Sequence, residues 1–150
     1  RENLETPSNA VGDGGAVIIN TSLLEISDQA RITANSYAQG NSGNLVLNTD
    51  NIIINGGAIA GLIFEGKGDA GNVTINNTDS IILNEGSNIQ SQVLKGGQGN
   101  VGDIKIDTKT LSINEKFSFI LADNASAGNA GNITINATDA VLINGGGGKT

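Results

Sequence analysis

The sequence predicts an all-β chain folded as a right-handed parallel β-helix (a solenoid), with about five coils of ~29 residues and three short strands per coil. Three observations carry this. A Gly-Asp/Asn-x-Gly motif recurs at near-constant spacing, a strand-like pentapeptide follows each copy, and the composition suits stacking. The 150 residues include 22 Gly, 21 Asn and 20 Ile, with no Cys, His, Met or Trp.

The motif comes first. It stands at Gly12-Asp13-Gly14-Gly15, Gly40-Asn41-Ser42-Gly43, Gly68-Asp69-Ala70-Gly71, Gly99-Asn100-Val101-Gly102 and Gly128-Asn129-Ala130-Gly131. The first glycines are 28, 28, 31 and 29 residues apart. These spacings divide the chain into a lead-in, 1–11, and repeats over 12–39, 40–67, 68–98, 99–127 and an incomplete 128–150.

The first strand follows each motif directly. It reads Ala16-Val17-Ile18-Ile19-Asn20 and Asn44-Leu45-Val46-Leu47-Asn48, then Asn72-Val73-Thr74-Ile75-Asn76. Asp103-Ile104-Lys105-Ile106-Asp107 and Asn132-Ile133-Thr134-Ile135-Asn136 complete the series. Apolar residues alternate with a variable middle position, the period-two pattern of a half-buried strand. Val17, Ile19 and their equivalents point inward, and the Lys105 series points out.

A second strand follows within a few residues: Leu24-Glu25-Ile26-Ser27, Ile52-Ile53-Ile54-Asn55, Ile81-Ile82-Leu83-Asn84, Leu111-Ser112-Ile113-Asn114 and Val141-Leu142-Ile143-Asn144. A third, weaker strand takes Ala30 with Ile32, Ser87 with Ile89, and Phe117 with Phe119. The second repeat joins this series over residues 55–60 only if one residue is deleted. The fifth stops at Thr150, before its third strand.

Helix fails as an alternative, because no stretch sustains apolar residues at i, i+3, i+4 and i+7. A propeller blade needs four strands in some 40–50 residues. A single unit of this size cannot bury its own apolar face, so copies must stack. At the strand spacing of ~4.8 Å, five coils make a stack of about 24 Å. Stacking sets each residue above its equivalent one repeat earlier. Asn20, Asn48, Asn76, Asp107 and Asn136 then form one column, and Ser27, Asn55, Asn84, Asn114 and Asn144 another. Their amides can bond along the stack. Along Asp13, Asn41, Asp69, Asn100 and Asn129 no two neighbours are both charged, which avoids like-charge repulsion.

Composition narrows function. Without Cys or His there is no thiol nucleophile, thiolate zinc site, imidazole base or His metal ligand. The formal net charge of -7 and only 8 basic residues speak against nucleic acid as a partner. No apolar run approaches a membrane span. The chain starts at Arg1 without a signal peptide, so it reads as a mature product or a fragment.

The repeat, best seen in Gly-Asn-Ala-Gly-Asn-Ile-Thr-Ile-Asn-Ala-Thr-Asp-Ala-Val-Leu-Ile-Asn over residues 128–144, resembles the repeat region of large secreted exoproteins of the filamentous haemagglutinin type, above all the cyanobacterial ones. The likeness covers roughly residues 12–148. It implies a β-helix shaft, two-partner secretion through an outer-membrane transporter, and display at the cell surface, often as an adhesin. It implies no catalytic residues.

Other signals are weaker. The tail Gly145 to Lys149-Thr150 ends like a phosphate-binding loop, but the required earlier Gly is Ile143. The Gly-Asp pairs lack the nine-residue period of calcium-binding repeats. Asn72-Val73-Thr74 and Asn132-Ile133-Thr134 match glycosylation triplets but arise from the repeat. Carboxylate pairs (Asp28 with Glu25, Glu65 with Asp69, Asp103 with Asp107) could serve a polysaccharide hydrolase or lyase. Solvated charge fits the regular register better.

The expectation is a structural and adhesive shaft segment of a secreted, surface-exposed protein, with no catalytic, cofactor or metal residues. The alternative is a carbohydrate-active β-helix enzyme. Expected partners are the secretion transporter and a surface or extracellular glycan or protein, met by outward residues such as Tyr37, Phe64, Lys67 and Lys95. The chain is expected not to span a membrane. Open strand edges at both ends predict end-to-end self-association.

Overall fold

The computed structural model describes residues 10–145. Nine strands appear in it and no helix. They are β1 (Val17–Ser27), β2 (Arg31–Thr33), β3 (Leu45–Asn55), β4 (Ala58–Ile63), β5 (Val73–Asn84), β6 (Asn88–Val93), β7 (Ile104–Asn114), β8 (Phe119–Asn124) and β9 (Ile133–Asn144). Odd strands form one sheet in the order β1-β3-β5-β7-β9, and even strands form a second, β2-β4-β6-β8. Every pairing is parallel, so the chain is a β-solenoid of four turns with a fifth begun.

The first two expected strands of each coil run through their shared corner as one strand of 11 or 12 residues. The burial pattern still records two segments. In β3, Leu45, Leu47 and Thr49 are buried, then Ile52 and Ile54. The inward phase changes across Asp50 and Asn51, which marks the bend. The register is the expected one: Val17, Leu45, Val73, Ile104 and Ile133 pair in series, as do Leu24, Ile52, Ile81, Leu111 and Val141. Local shifts fall only at this corner, where β5 carries one residue more than β3 between its aligned segments.

Threonine occupies the inside of the bend. Thr49 Oγ1 donates to the Asn51 carbonyl at 3.0 Å, and Thr108 Oγ1 to that of Thr110 at 3.0 Å. Each hydroxyl thus satisfies a carbonyl that the turn takes out of line.

The third strand departs from expectation in the fourth coil. Ile32, Ile59, Ile89 and Ile120 form the inward column, rather than Phe119. Phe119 pairs with Asn88 on the outward side and is 38% exposed. Phe117 lies before the strand, not in it. The longer turn over residues 115–118 shifts the phase by one position, which moves every side chain to the other face. The single deletion anticipated in the second repeat is present: Ser27 pairs 28 residues ahead with Asn55, but Ile32 only 27 ahead with Ile59.

The core between the sheets is aliphatic. Leu47, Ile54, Ile59, Ile75, Leu83, Ile89 and Ile106 are fully buried. The even sheet also faces the glycine corner, where space is short. There the inward column is Ala34, Gly61, Ser91 and Ala122. Ser91 is fully buried; its Oγ donates to the Gly71 carbonyl at 3.0 Å and accepts from the Gly102 N–H at 3.1 Å.

Candidate interaction surface

A solenoid of this kind presents its outward residues and its corners. The glycine corner is the most constrained. A Cβ on Gly43, Gly71 or Gly131 would lie 2.0–2.2 Å from the carbonyl oxygen of the equivalent glycine one coil earlier. A Cβ on Gly40, Gly68, Gly99 or Gly128 would lie 1.9–2.1 Å from another such carbonyl. Both glycines of the motif are therefore demanded by backbone stacking.

The Asp or Asn between them is equally occupied. Asp13 Oδ1 accepts from the Asn41 N–H at 2.8 Å, Asn41 Oδ1 from Asp69 N–H at 2.7 Å, and Asp69 Oδ1 from Asn100 N–H at 2.7 Å. Asn100 Oδ1 accepts from Asn129 N–H at 3.0 Å. The backbone N–H needs only an oxygen, so Asp and Asn interchange, and Asn100 Nδ2 adds a bond to Asp69 Oδ1 at 3.2 Å. A second ladder of the same kind runs through Asn44, Asn72, Asp103 and Asn132. The expected amide columns are formed as well. Asn48 Nδ2 donates to Asn20 Oδ1 at 2.7 Å and Asn76 Nδ2 to Asn48 Oδ1 at 2.9 Å. Asn84, Asn114 and Asn144 each donate to the residue below, starting from Asn55.

The carboxylate pairs divide accordingly. Asp69 and Asp103 belong to ladders. Asp107 accepts from Asn136 Nδ2 at 2.7 Å and lies 3.0 Å from Lys105 Nζ. The Asn136 amide first, then Lys105, hold its carboxyl below the ordinary value of 3.8. Asp103 and Asp107 stand four residues apart on one strand edge, about 13 Å by the strand rise, beyond the 5–9.5 Å that glycoside cleavage uses. Asp28 accepts from Ser27 Oγ at 3.4 Å. Lys109 pairs with Asp79 at 2.7 Å, which holds the amine above its usual range. Among the described residues no group of three or more His, Cys, Asp and Glu could hold a metal ion. The phosphate-loop-like tail, 146–150, lies outside them.

Two recesses lie on the corners. One, of about 370 Å³, is lined by Thr78, Asp107, Thr108, Lys109, Asn136 and Thr138. The other, of about 330 Å³, lies over the glycine corner around Asn41, Asp69 and Asn100. Asp107 and Asn136 in the first, and Asn41, Asp69 and Asn100 in the second, are engaged in the bonds between coils.

The residues expected to meet a partner are outward. Tyr37 and Phe64 stack with ring centroids 4.4 Å apart and planes 10° apart. They follow paired positions, since Ser36 bridges Ile63. Lys67 sits between Gln39 and Gln98 in the next column, and Lys95 is exposed. Sequence reasoning missed Phe117, read as a strand residue. It is 72% exposed, with Lys116 Nζ 5.0 Å from its ring centroid. The available signal was the extra length of the 115–118 turn. No family model, curated protein or solved structure matches the chain.

Proposed function

We propose that the chain is a rigid shaft segment of a secreted, surface-exposed exoprotein of the filamentous haemagglutinin type, exported by two-partner secretion and displaying adhesive surfaces. The observation that supports this best is the use of polar groups. Asp and Asn side chains at the corners bond to the equivalent residue of the neighbouring coil, and such ladders recur from first coil to last. Such side chains serve length and stiffness. Chemistry at a β-helix surface needs carboxylates freed from that duty at a set separation, and Asp69, Asp103 and Asp107 are engaged. Antibodies raised to the folded chain should label intact source cells, and external protease should abolish the signal. Labelling only after permeabilisation would overturn the reading.

Self-association end to end belongs to the same proposal. Among the described residues β1 and β9 are the edges of one sheet and β2 and β8 of the other, and the apolar Ile133, Val141 and Ile143 are exposed on β9. Sedimentation should show association that grows with concentration. A monomer throughout would remove this element.

A further inference from the structure

The ladders that join the coils have a direction. Asn41, Asp69, Asn100 and Asn129 each donate a backbone N–H to Oδ1 of the equivalent residue one coil earlier. Asn72, Asp103 and Asn132 do the same in the second ladder. In the amide columns Nδ2 also donates toward the earlier coil, from Asn48 to Asn20 and from Asn136 to Asp107. Among the described residues no bond of these ladders runs the other way.

The two open edges of the long sheet therefore differ in kind. On the β9 side, Oδ1 of Asn129, Asn132 and Asn136 takes the accepting place, and no described residue donates to it. On the β1 side, the N–H groups of Asp13 and Ala16 and the Nδ2 of Asn20 take the donating place, and no described residue accepts from them. Alanine suffices at position 16, because the first coil needs only the N–H there. Two acceptor edges pressed together would leave these oxygens unpaired, and two donor edges would strand the N–H groups, which is costly once water is excluded. One edge of each kind satisfies both.

The apolar columns agree. Carried one coil further, the register places Val17 over Ile133, Ile19 over Ile135 and Leu24 over Val141. Ile133 and Val141 are exposed on β9, and Val17, Ile19 and Leu24 are only half-buried on β1. β9 has 12 residues and β1 has 11, the same step that β5 and β7 already accommodate at the bend. Asp13 would lie over Asn129 and Glu25 over Leu142, so these acids meet no like charge.

We propose that each open edge of the long sheet takes the opposite edge of a second copy of this chain, with β1 of one copy adding in parallel to β9 of the other. The three free acceptors then receive the three free donors: Asn129 from Asp13, Asn132 from Ala16, and Asn136 from Asn20. A contact between unlike edges does not close on itself, so copies add into an open fibre rather than a two-fold dimer.

The inference rests on the self-association proposed above and adds its polarity and register. Sedimentation of the wild-type chain reads association itself. Polarity is read with two prolines, each at the start of the strand, where proline is tolerated. Ala16→Pro removes a donor at the β1 edge. Ile133→Pro removes the N–H that in Val17, Leu45, Val73 and Ile104 donates to the next coil. Each variant alone should lose association. Mixed in equal amounts, they should form a dimer that does not grow, because one sound edge of each kind remains. A dimer of either variant alone would overturn the proposal, and so would a mixture that stays monomeric while both variants keep the wild-type circular dichroism. A cysteine pair gives a second reading without proline, since the chain has no Cys. Asn20→Cys and Asn136→Cys would stand about 4.8 Å apart across the contact, within disulfide reach. Mild oxidation of the mixture should yield the mixed dimer, whereas disulfide-linked dimers of one variant alone would show that like edges pair. A wild-type chain that is monomeric throughout removes the association and this proposal together; association through like edges removes only the polarity.

Discussion

Two corners of the same solenoid are built by opposite rules. At the glycine corner each coil repeats Gly-Asp/Asn-x-Gly, and consecutive backbones touch through carbonyl oxygens. At the left-handed corner the coils differ in length and content: Asp28-Gln29, Gly56 alone, Glu85-Gly86, then Glu115 to Phe117. Both corners use φ values that favour glycine, yet only the first demands it. There the obstacle is the neighbouring coil, which no side-chain movement relieves. At the second, the cost is local to one residue and can be borne. Stacking thus fixes sequence where backbones meet and frees it where the chain bows outward.

Substitution at one glycine from each corner tests this most severely. Gly71→Ala sets a Cβ 2.0 Å from the Gly43 carbonyl oxygen and should cost about 4 kcal/mol or more, the range of severe single changes. Gly86→Ala meets only Phe117, at 3.8 Å and beyond, so it should cost about 1 kcal/mol for the left-handed backbone alone. Urea unfolding followed by circular dichroism reads both. Similar losses would erase the distinction. Next in size is a core change shared by all coils. Ile75→Ala removes a fully buried side chain from the middle of the stack. It should cost about 2–5 kcal/mol by the same measurement, as buried Ile deletions do. A loss below 1 kcal/mol would mean the inner columns can collapse around a void.

Most of the coil architecture was legible, because a repeat states each rule several times. Val17, Leu45, Val73, Ile104 and Ile133 declare one inward column, and the register follows from aligning them. The Asn columns were legible for the same reason. The corner itself was not. Thr21 pairs with Thr49 and Thr78 with Thr108, but a lone Thr between two strand patterns has no period to betray an inward side chain. The phase of the third strand in the fourth coil was also hidden. Phe117 and Phe119 alternate as well as Ile120 and Ala122 do, and only pairing with Ile89 decides between them. The ladder through Asn44, Asn72 and Asp103 was hidden by Ala16, which opens that position in the first coil without a side-chain acceptor.

The bend between the two segments should be less costly to disturb than either the core or the glycine corner. Thr108→Val keeps shape and burial but removes the hydroxyl that donates to the Thr110 carbonyl. Asn84→Ala removes one bond to Asn55 and one from Asn114. Each should cost about 1 kcal/mol, the net worth of such hydrogen bonds. The two sites use separate partners, so the double variant should lose the sum. Strong non-additivity in chemical denaturation would mean that the two corners are coupled through the stack.

The smallest expected effect concerns Asp107, the one acid in an otherwise amide column. It accepts from Asn136 but has no amide hydrogen to give Asn76, and it holds Lys105 instead. Its folded-state pKa is depressed below 3.8, first by the Asn136 bond and then by Lys105. A depressed carboxylate contributes stability that is present above its unfolded value and is lost as pH falls through the folded one. Wild type should therefore weaken between about pH 5 and pH 2 by more than Asp107→Asn does. At pH 7 the variant loses the lysine contact and gains a donor toward Asn76, and the measured sign tells which matters more. Exposure and salt screening keep the effect small, so urea midpoints are compared at low ionic strength. Parallel pH profiles would show that the acid is a neutral substitute for asparagine; a gap widening in favour of the variant toward low pH would show that the column uses the charge.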